Sequence, residues 1–111
     1  MKDDRVYLRH ILECLDAIHA YTAEGRDRFL TDRKTQKATL RELQEVAEST
    51  QRMSPHLKER HPEIPWGDIT GFRNVLVHDY LGINLLRIWT VVERDLPPLR
   101  AAIEAMLREL E

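Results

Sequence analysis

Apolar residues recur at intervals of three and four along almost the whole chain, which is the spacing of one face of an α-helix. No segment shows the sustained alternation of apolar and polar residues that is typical of a strand. The pattern therefore predicts an all-α protein built as an antiparallel bundle. A chain of 111 residues has room for one domain, which we expect to span residues 1–111.

Two long helices are predicted in the first half of the chain. The first begins near Asp3 or Asp4, either of which can cap it, and Gly25 is a suitable stop. The second begins near Asp32 and ends at Ser54-Pro55. The apolar stripes are Leu8, Ile11, Leu12, Leu15 and Ile18 in the first helix and Leu40, Leu43, Val46, Ala47, Thr50 and Met53 in the second.

A loop is predicted over residues 54–67, because it contains three of the five prolines and proline disrupts a helix interior. Asp68 can then cap a third helix that ends around residues 80–82. The apolar side of this helix comprises Ile69, Phe72, Val75 and Leu76.

Two further helices complete the predicted bundle. Asn84 can cap a fourth helix, and Asp95 opens a last one with Pro97 and Pro98 in its first turn. Their apolar residues are Leu85, Ile88, Trp89 and Val92 in the fourth helix and Leu99, Ile103, Met106, Leu107 and Leu110 in the last.

Charge is unusually sparse between Ile64 and Val92, where four of 29 residues are charged, against 32% of the whole chain. Helices with so little polar surface are usually covered on more than one side. In a protein this small we expect the second cover to be another subunit, so the segment predicts a homodimer interface. The alternative is that the third helix lies centrally in the bundle.

Composition narrows the cellular setting and the possible partners. The chain has a single cysteine, lacks an apolar run long enough to cross a membrane, and begins without a basic, apolar leader, so we expect a cytoplasmic protein. A net charge of −2 argues against general coating of nucleic acid. Six basic residues between Arg26 and Arg41 form either a solvated helix face or a local patch that attracts phosphate.

The third helix carries the residues best suited to chemistry, Arg73 and His78. Cleavage of RNA through its own 2′-hydroxyl needs a base, an acid and a group that holds the charged phosphorane. Histidine transfers protons near neutral pH, and arginine presents a planar fork to phosphate oxygens. At about 100° per residue the two side chains lie about 140° apart on the helix, so a two-fold partner is one way to bring such groups together. A capping histidine and a structural arginine fit the same residue types.

The string from Arg73 to Tyr80, RNVLVHDY, matches the R-x4-H-x-Y motif of the HepT-like ribonuclease toxins of the HEPN superfamily. DRVYLRHILECLDAI and FLTDRKTQKATLRELQEVAES also resemble the first two helices of that family. IPWGDITGFRNVLVHDYLGINLLRIWTVVERDLPPL resembles its most characteristic block. The resemblance covers nearly the whole chain.

This resemblance implies a four- to five-helix HEPN bundle that works as a homodimer. It implies a metal-independent endoribonuclease without a cofactor, in which Arg73 and His78 act in a cleft between protomers and Asn74 orients Arg73 or contacts phosphate. It also implies a toxin whose partner is a nucleotidyltransferase antitoxin of the MNT type. Transfer of AMP to Tyr80 is one route by which that partner silences the toxin.

Two other functions remain open. The same groove could hold a nucleotide or the nucleotidyltransferase without cleaving anything, or the chain could be a purely structural helical dimer. Among the remaining candidates, His10 and Cys14 have a spacing that suits zinc, but two ligands make no site. We expect His56 and His61 to be solvated, and Trp66 and Trp89 to serve packing rather than base stacking.

Overall fold

The computed structural model describes residues 3–111, except for the side chain of Tyr80. The helices are α1 (Asp4–Tyr21), α2 (Arg26–Thr31), α3 (Arg33–Arg52), α4 (Pro55–Glu59), α5 (Trp66–His78), α6 (Leu85–Thr90) and α7 (Leu96–Leu110). A 3₁₀ turn, Tyr80–Gly82, follows α5, and a π-helical turn, Val91–Asp95, joins α6 to α7. The described residues contain no strand, which confirms the all-α class.

Helix α1 is packed between α3 and α7, and polar contacts at both ends show that it runs antiparallel to each. At its start, Asp4 accepts hydrogen bonds from the backbone and the hydroxyl of Ser54, just beyond the end of α3, at 2.8 and 2.7 Å. Arg9 pairs with Glu111 at 2.7 Å, and Asp16 pairs with Arg100 at 2.6 Å. These contacts show the register of three long helices around one core.

The core consists of the apolar stripes that the spacing predicts. Leu8, Ile11, Ile103 and Met106 of these stripes are completely shielded from solvent, as is Phe29 of α2, a helix that the spacing did not predict. Every other predicted stripe residue of the five helices is buried or packed against this core, apart from Val75, which is 44% exposed. Val75 was expected on the apolar side of α5, and in the single protomer it faces outward.

The predicted capping residues of two helices are confirmed. Asp3 precedes α1, and its carboxylate accepts the backbone N–H of Arg5 at 2.8 Å. Hydrogen bonding to the Arg5 side chain and backbone lowers the pKa of this carboxyl to about 2. Asn84 precedes α6 and accepts the backbone N–H groups of Leu86 and Arg87.

Other predicted boundaries need correction. Helix α1 ends at Tyr21, and Gly25 instead precedes the short helix α2 with a φ of 94°, a conformation that glycine adopts without strain. The predicted loop contains α4, which Ser54 caps by accepting the N–H of Leu57. Helix α5 begins at Trp66, so Asp68 lies in its first turn and does not cap it.

The expected break before the last helix is replaced by the π-helical turn. Asp95 has a helical backbone conformation, and its side chain caps nothing. Pro97 and Pro98 have no backbone N–H, so neither can donate to a carbonyl one turn earlier. In the turn before them, the N–H of Leu96 bonds to the carbonyl of Val91, five residues back, which is the hydrogen bond of a π-helix. The chain from α6 to α7 therefore continues as one helical segment.

Replacement of Ile11 by alanine tests this core. Ile11 is completely buried on the face that α1 presents to its neighbours, so Ile11→Ala should lower the free energy of unfolding by about 2–5 kcal/mol. Val6→Ala on the same helix is the control, since Val6 is 46% exposed and should change stability by no more than about 0.5 kcal/mol. Urea unfolding followed by circular dichroism measures both, and equal effects would contradict the assigned packing.

Candidate functional site

Arg73 lies near the middle of α5, where its guanidinium is partly enclosed. One terminal nitrogen donates to the amide oxygen of Asn74 at 3.4 Å. The Nε atom is shielded from solvent and has no acceptor among the described residues. Shielding a cationic N–H without an acceptor is costly, so this guanidinium is suited to gaining one from an incoming anion.

His78 is the last residue of α5 and is exposed. The helix ends there because the N–H of Asp79 bonds to the carbonyl of Val75, after which the chain enters the 3₁₀ turn. Gly82 closes that turn, with its N–H on the carbonyl of Asp79 at 3.0 Å. A side chain at position 82 would meet the Asp79 carboxylate at 2.9 Å, so the tight turn favours glycine. The imidazole of His78 is therefore held at an accessible corner of the bundle.

The described protomer does not join Arg73 and His78 by a hydrogen bond. Five residues of α-helix separate them by about 140° around the axis. Asn74 lies beside Arg73 and is exposed. The backbone of Tyr80 begins the turn two residues after His78, while its side chain lies outside the described residues.

A mainly apolar groove of about 690 Å³ runs beside α5, between α3 and the segment from α6 to α7. Gly71 and Val75 line it, and His78 continues the same helical face at the end of α5. The exposed apolar residues Val75, Leu81 and Leu86 lie on α5, in the 3₁₀ turn and on α6, at 44%, 91% and 54% exposure. The sparsely charged segment thus leaves apolar surface exposed in the described chain.

The six basic residues between Arg26 and Arg41 are exposed, and two of them have local acidic partners. Arg28 lies 3.2 Å from Glu24 and 3.7 Å from Asp32, and Arg41 lies 3.2 Å from Glu45. Pairing of this kind weakens a field that would attract phosphate. The solvated-face interpretation describes these two arginines better than a phosphate patch does.

Both tryptophans serve packing, as predicted. The indole N–H of Trp66 donates to the carbonyls of Lys58 and His61, each at 3.1 Å, and the ring of Trp89 lies 5.6 Å from that of Phe29. The expectation for His61 is wrong, because its side chain is only 12% exposed. Its two ring nitrogens each lie 3.2 Å from a carboxylate, those of Glu63 and Glu109.

A second polar cluster lies between α1 and α3. His10 and Cys14 are joined by Glu45, and one potential ligand atom from each residue lies within 4.8 Å of the others. Cys14 is buried, and burial together with the Glu42 carboxylate raises the pKa of its thiol to about 12. Sequence reasoning missed Glu45, since only the pairing of α1 with α3 brings it to the other two.

None of the described helices is both long and apolar enough to cross a membrane.

Curated proteins similar to this chain are named for ribonuclease activity. The "Probable ribonuclease HepT" of Thermococcus cleftensis is 35% identical over 90% of this chain and 92% of its own length. A "Putative RNase" of Methanocaldococcus jannaschii is 34% identical over 99% of this chain and 92% of its own length. Another protein of that organism, "Gamma-glutamylcyclotransferase and putative RNase", is 32% identical over 99% of this chain, which spans only 50% of that relative.

No solved structure gives a significant match. The family model described as "Ribonuclease HepT-like" matches residues 11–106, a range that includes α5 with Arg73 and His78. With its all-helical fold and its similarity to proteins named as ribonucleases, the chain belongs to the HepT-like ribonuclease family of the HEPN superfamily.

Proposed function

We propose that this protein is a cytoplasmic toxin that cleaves RNA without a metal ion, with Arg73 and His78 as its catalytic pair. The observation that carries the proposal is the family match over residues 11–106, within which the R-x4-H-x-Y string has Arg73 and His78 on α5 and Tyr80 in the turn that follows. The exposure of His78 supports it, because the imidazole is open to an incoming phosphodiester. The unpaired Nε of Arg73 also supports it, because the guanidinium has an N–H left to donate once the side chain turns towards an anion.

The proposed reaction uses the 2′-hydroxyl of RNA as its nucleophile. His78 takes the proton of that hydroxyl while its oxygen attacks the adjacent phosphorus. The bond from phosphorus to the 5′-oxygen of the next nucleotide breaks, and a protonated His78 supplies the proton to that oxygen. Arg73 holds the non-bridging oxygens as negative charge develops on them, and Asn74 orients its guanidinium. The products are a 2′,3′-cyclic phosphate and a 5′-hydroxyl.

The active form is proposed to be a homodimer. A single α5 directs Arg73 and His78 about 140° apart, whereas a two-fold axis beside this helix places the arginine of one protomer near the histidine of the other. The groove beside α5 and the exposed side chains of Val75, Leu81 and Leu86 offer the apolar surface that such a partner would cover. Two copies of His78 would also supply separate groups for the base and acid steps.

Control of the toxin is proposed to act through Tyr80 and a nucleotidyltransferase antitoxin. Tyr80 begins the turn directly beyond the His78 end of α5. An AMP group attached to its hydroxyl would add a bulky anion beside the site. That anion would compete with an RNA phosphate for Arg73.

RNA cleavage in excess EDTA tests the catalytic proposal. Wild-type protein should cleave end-labelled total RNA, and His78→Ala should reduce the rate by about 100-fold or more because proton transfer is lost. Arg73→Ala should have an effect of similar size through lost charge stabilisation. His56→Ala is the control, since it removes another exposed histidine and should leave the rate unchanged.

Wild-type protein that is folded, unmodified at Tyr80 and unable to cleave RNA would contradict this proposal. Nucleotide binding that depends on Arg73 would then support the non-catalytic binding module.

The proposed dimer can be tested by a charge placed on the exposed apolar surface of α5. Val75→Glu should shift the protein from dimer to monomer in sedimentation velocity, because a carboxylate would be buried without a partner. Val6→Glu is a matched control, since Val6 and Val75 have nearly equal exposure, 46% and 44%, on different helices. A wild-type monomer, or a Val75→Glu dimer as stable as wild type, would exclude this interface.

Modification of Tyr80 can be tested with an MNT-type nucleotidyltransferase and ATP. We expect wild-type protein to gain AMP and lose ribonuclease activity, while Tyr80→Phe stays unmodified and active. Tyr21→Phe is the control, because Tyr21 is an exposed tyrosine at the end of α1 and its loss should not prevent modification. AMP located by mass spectrometry at another residue would refute the role of Tyr80.

A further inference from the structure

His10, Cys14 and Glu45 lie together on the facing surfaces of α1 and α3, away from the residues proposed for RNA cleavage. The Nε2 atom of His10 is 3.1 Å from Oε1 of Glu45 and 3.6 Å from Sγ of Cys14. The three atoms lie within 4.8 Å of one another. The i, i+4 spacing on α1 places His10 and Cys14 on one face, and the antiparallel pairing of α1 with α3 supplies the third group.

The separations suit a tetrahedral metal ion. Zinc binds nitrogen, oxygen and sulfur at about 2.0–2.3 Å, which places neighbouring ligand atoms roughly 3.3–3.7 Å apart. The 3.6 Å distance from His10 to Cys14 falls within that range, and the 3.1 Å distance from His10 to Glu45 lies just below it. The Glu45 oxygen and the Cys14 sulfur lie within 4.8 Å of each other, so side-chain adjustment across α1 and α3 is what brings all three atoms to one ion.

The chemistry of the three groups also fits a divalent transition metal. Imidazole, thiolate and carboxylate are all common zinc ligands. One thiolate and one carboxylate balance the charge of a divalent cation. Hard ions such as Mg²⁺ and Ca²⁺ prefer sets made entirely of oxygen, so a thiol at the inner edge of the cluster selects against them.

The environment of the cluster orients the ligands and leaves a route for the ion. The second oxygen of Glu45 lies 3.2 Å from Nε of Arg41, which leaves Oε1 directed at His10. Cys14 is buried at the base, whereas the His10 and Glu45 side chains are 41% and 30% exposed. These two residues line a hollow of mixed polar and apolar character that is open to solvent, from which a water molecule can serve as fourth ligand.

We propose that His10, Cys14 and Glu45 bind one Zn²⁺ ion, or a transition-metal ion of similar ligand preference, and that this ion fastens α1 to α3. The ion bridges two helices that already form the centre of the core. Its binding energy therefore adds to the stability of the folded chain. The site is separate from the proposed ribonuclease function and takes no part in that reaction.

Titration of the reduced, metal-free, full-length protein with Co²⁺ tests this site. A thiolate bound to Co²⁺ gives a charge-transfer band in the near ultraviolet, and Cys14 is the only cysteine, so this band reports Cys14 alone. We expect the band to saturate at one Co²⁺ per chain and to disappear when Zn²⁺ displaces the cobalt. Absence of the band at saturating Co²⁺ would overturn the proposal and leave a hydrogen-bonded cluster.

Variants identify the other two ligands. Loss of a group that merely supports a ligand typically weakens metal binding 10–100-fold. Glu45 and His10 are proposed as ligands themselves, so Glu45→Gln and His10→Gln should each weaken metal binding by about 100-fold or more. His19→Gln is the control, since His19 is an exposed histidine of the same helix and should leave affinity unchanged. Unaltered Co²⁺ affinity in folded Glu45→Gln and His10→Gln proteins would refute the assignment.

Thermal unfolding provides a readout that does not depend on spectroscopy or on RNA. At free Zn²⁺ about 100 times the dissociation constant, the Tm of wild-type protein should rise by about 10 °C. Cys14→Ser should show no such rise, whatever its own starting stability. An equal rise in Cys14→Ser would place the stabilising ion elsewhere and contradict the proposal.

Discussion

The apolar stripe of α1 is the surface on which the rest of the bundle depends. A helix with buried side chains at Leu8, Ile11, Leu15 and Ile18 must be covered along its whole length, and α3 and α7 provide that cover. Because both run antiparallel to α1, the polar groups at the helix ends meet in pairs, as Asp4 does with Ser54 and Asp16 with Arg100. The exposed pairs contribute little free energy. They mark the register that the buried side chains determine, and this register brings together residues that are distant in the sequence.

Helix α5 is held differently, and this difference bears on function. Among its residues only Leu76 is fully buried, while Ile69 and Phe72 pack at the edge of the core. A helix attached along one edge exposes the rest of its circumference. The exposed part of α5 includes the apolar side chain of Val75 and the imidazole of His78, while Arg73 is partly enclosed. The exposed apolar side chain of Val75 and the candidate catalytic groups therefore lie on the same short helix.

Sequence periodicity predicted the long helices because side-chain burial every three or four residues is a local consequence of helix geometry. Asp3 and Asn84 were predictable as caps for the same reason, since each bonds to backbone within three residues. The π-helical turn before Pro97 and the start of α5 at Trp66 could not be predicted, because several local conformations of the chain are compatible with those residues. Arg73 and His78 were found through the motif, whereas Glu45 depended on the packing of α1 against α3 and had no local signal.

The two proposed sites differ in their need for a metal ion: the catalytic site works without one, and the site between α1 and α3 binds one. At the end of α5 the proposed catalysis needs proton transfer by His78 and a fixed positive charge from Arg73, which an amino-acid side chain supplies without a metal. Between α1 and α3 the proposed ion has a structural effect, transmitted through helix packing. Removal of metal by a chelator should therefore lower thermal stability while leaving the cleavage rate of the folded protein intact. If cleavage is lost in chelator but returns on cooling, together with the helical circular dichroism signal, the loss reflects unfolding. It would carry no implication of a metal at the phosphodiester.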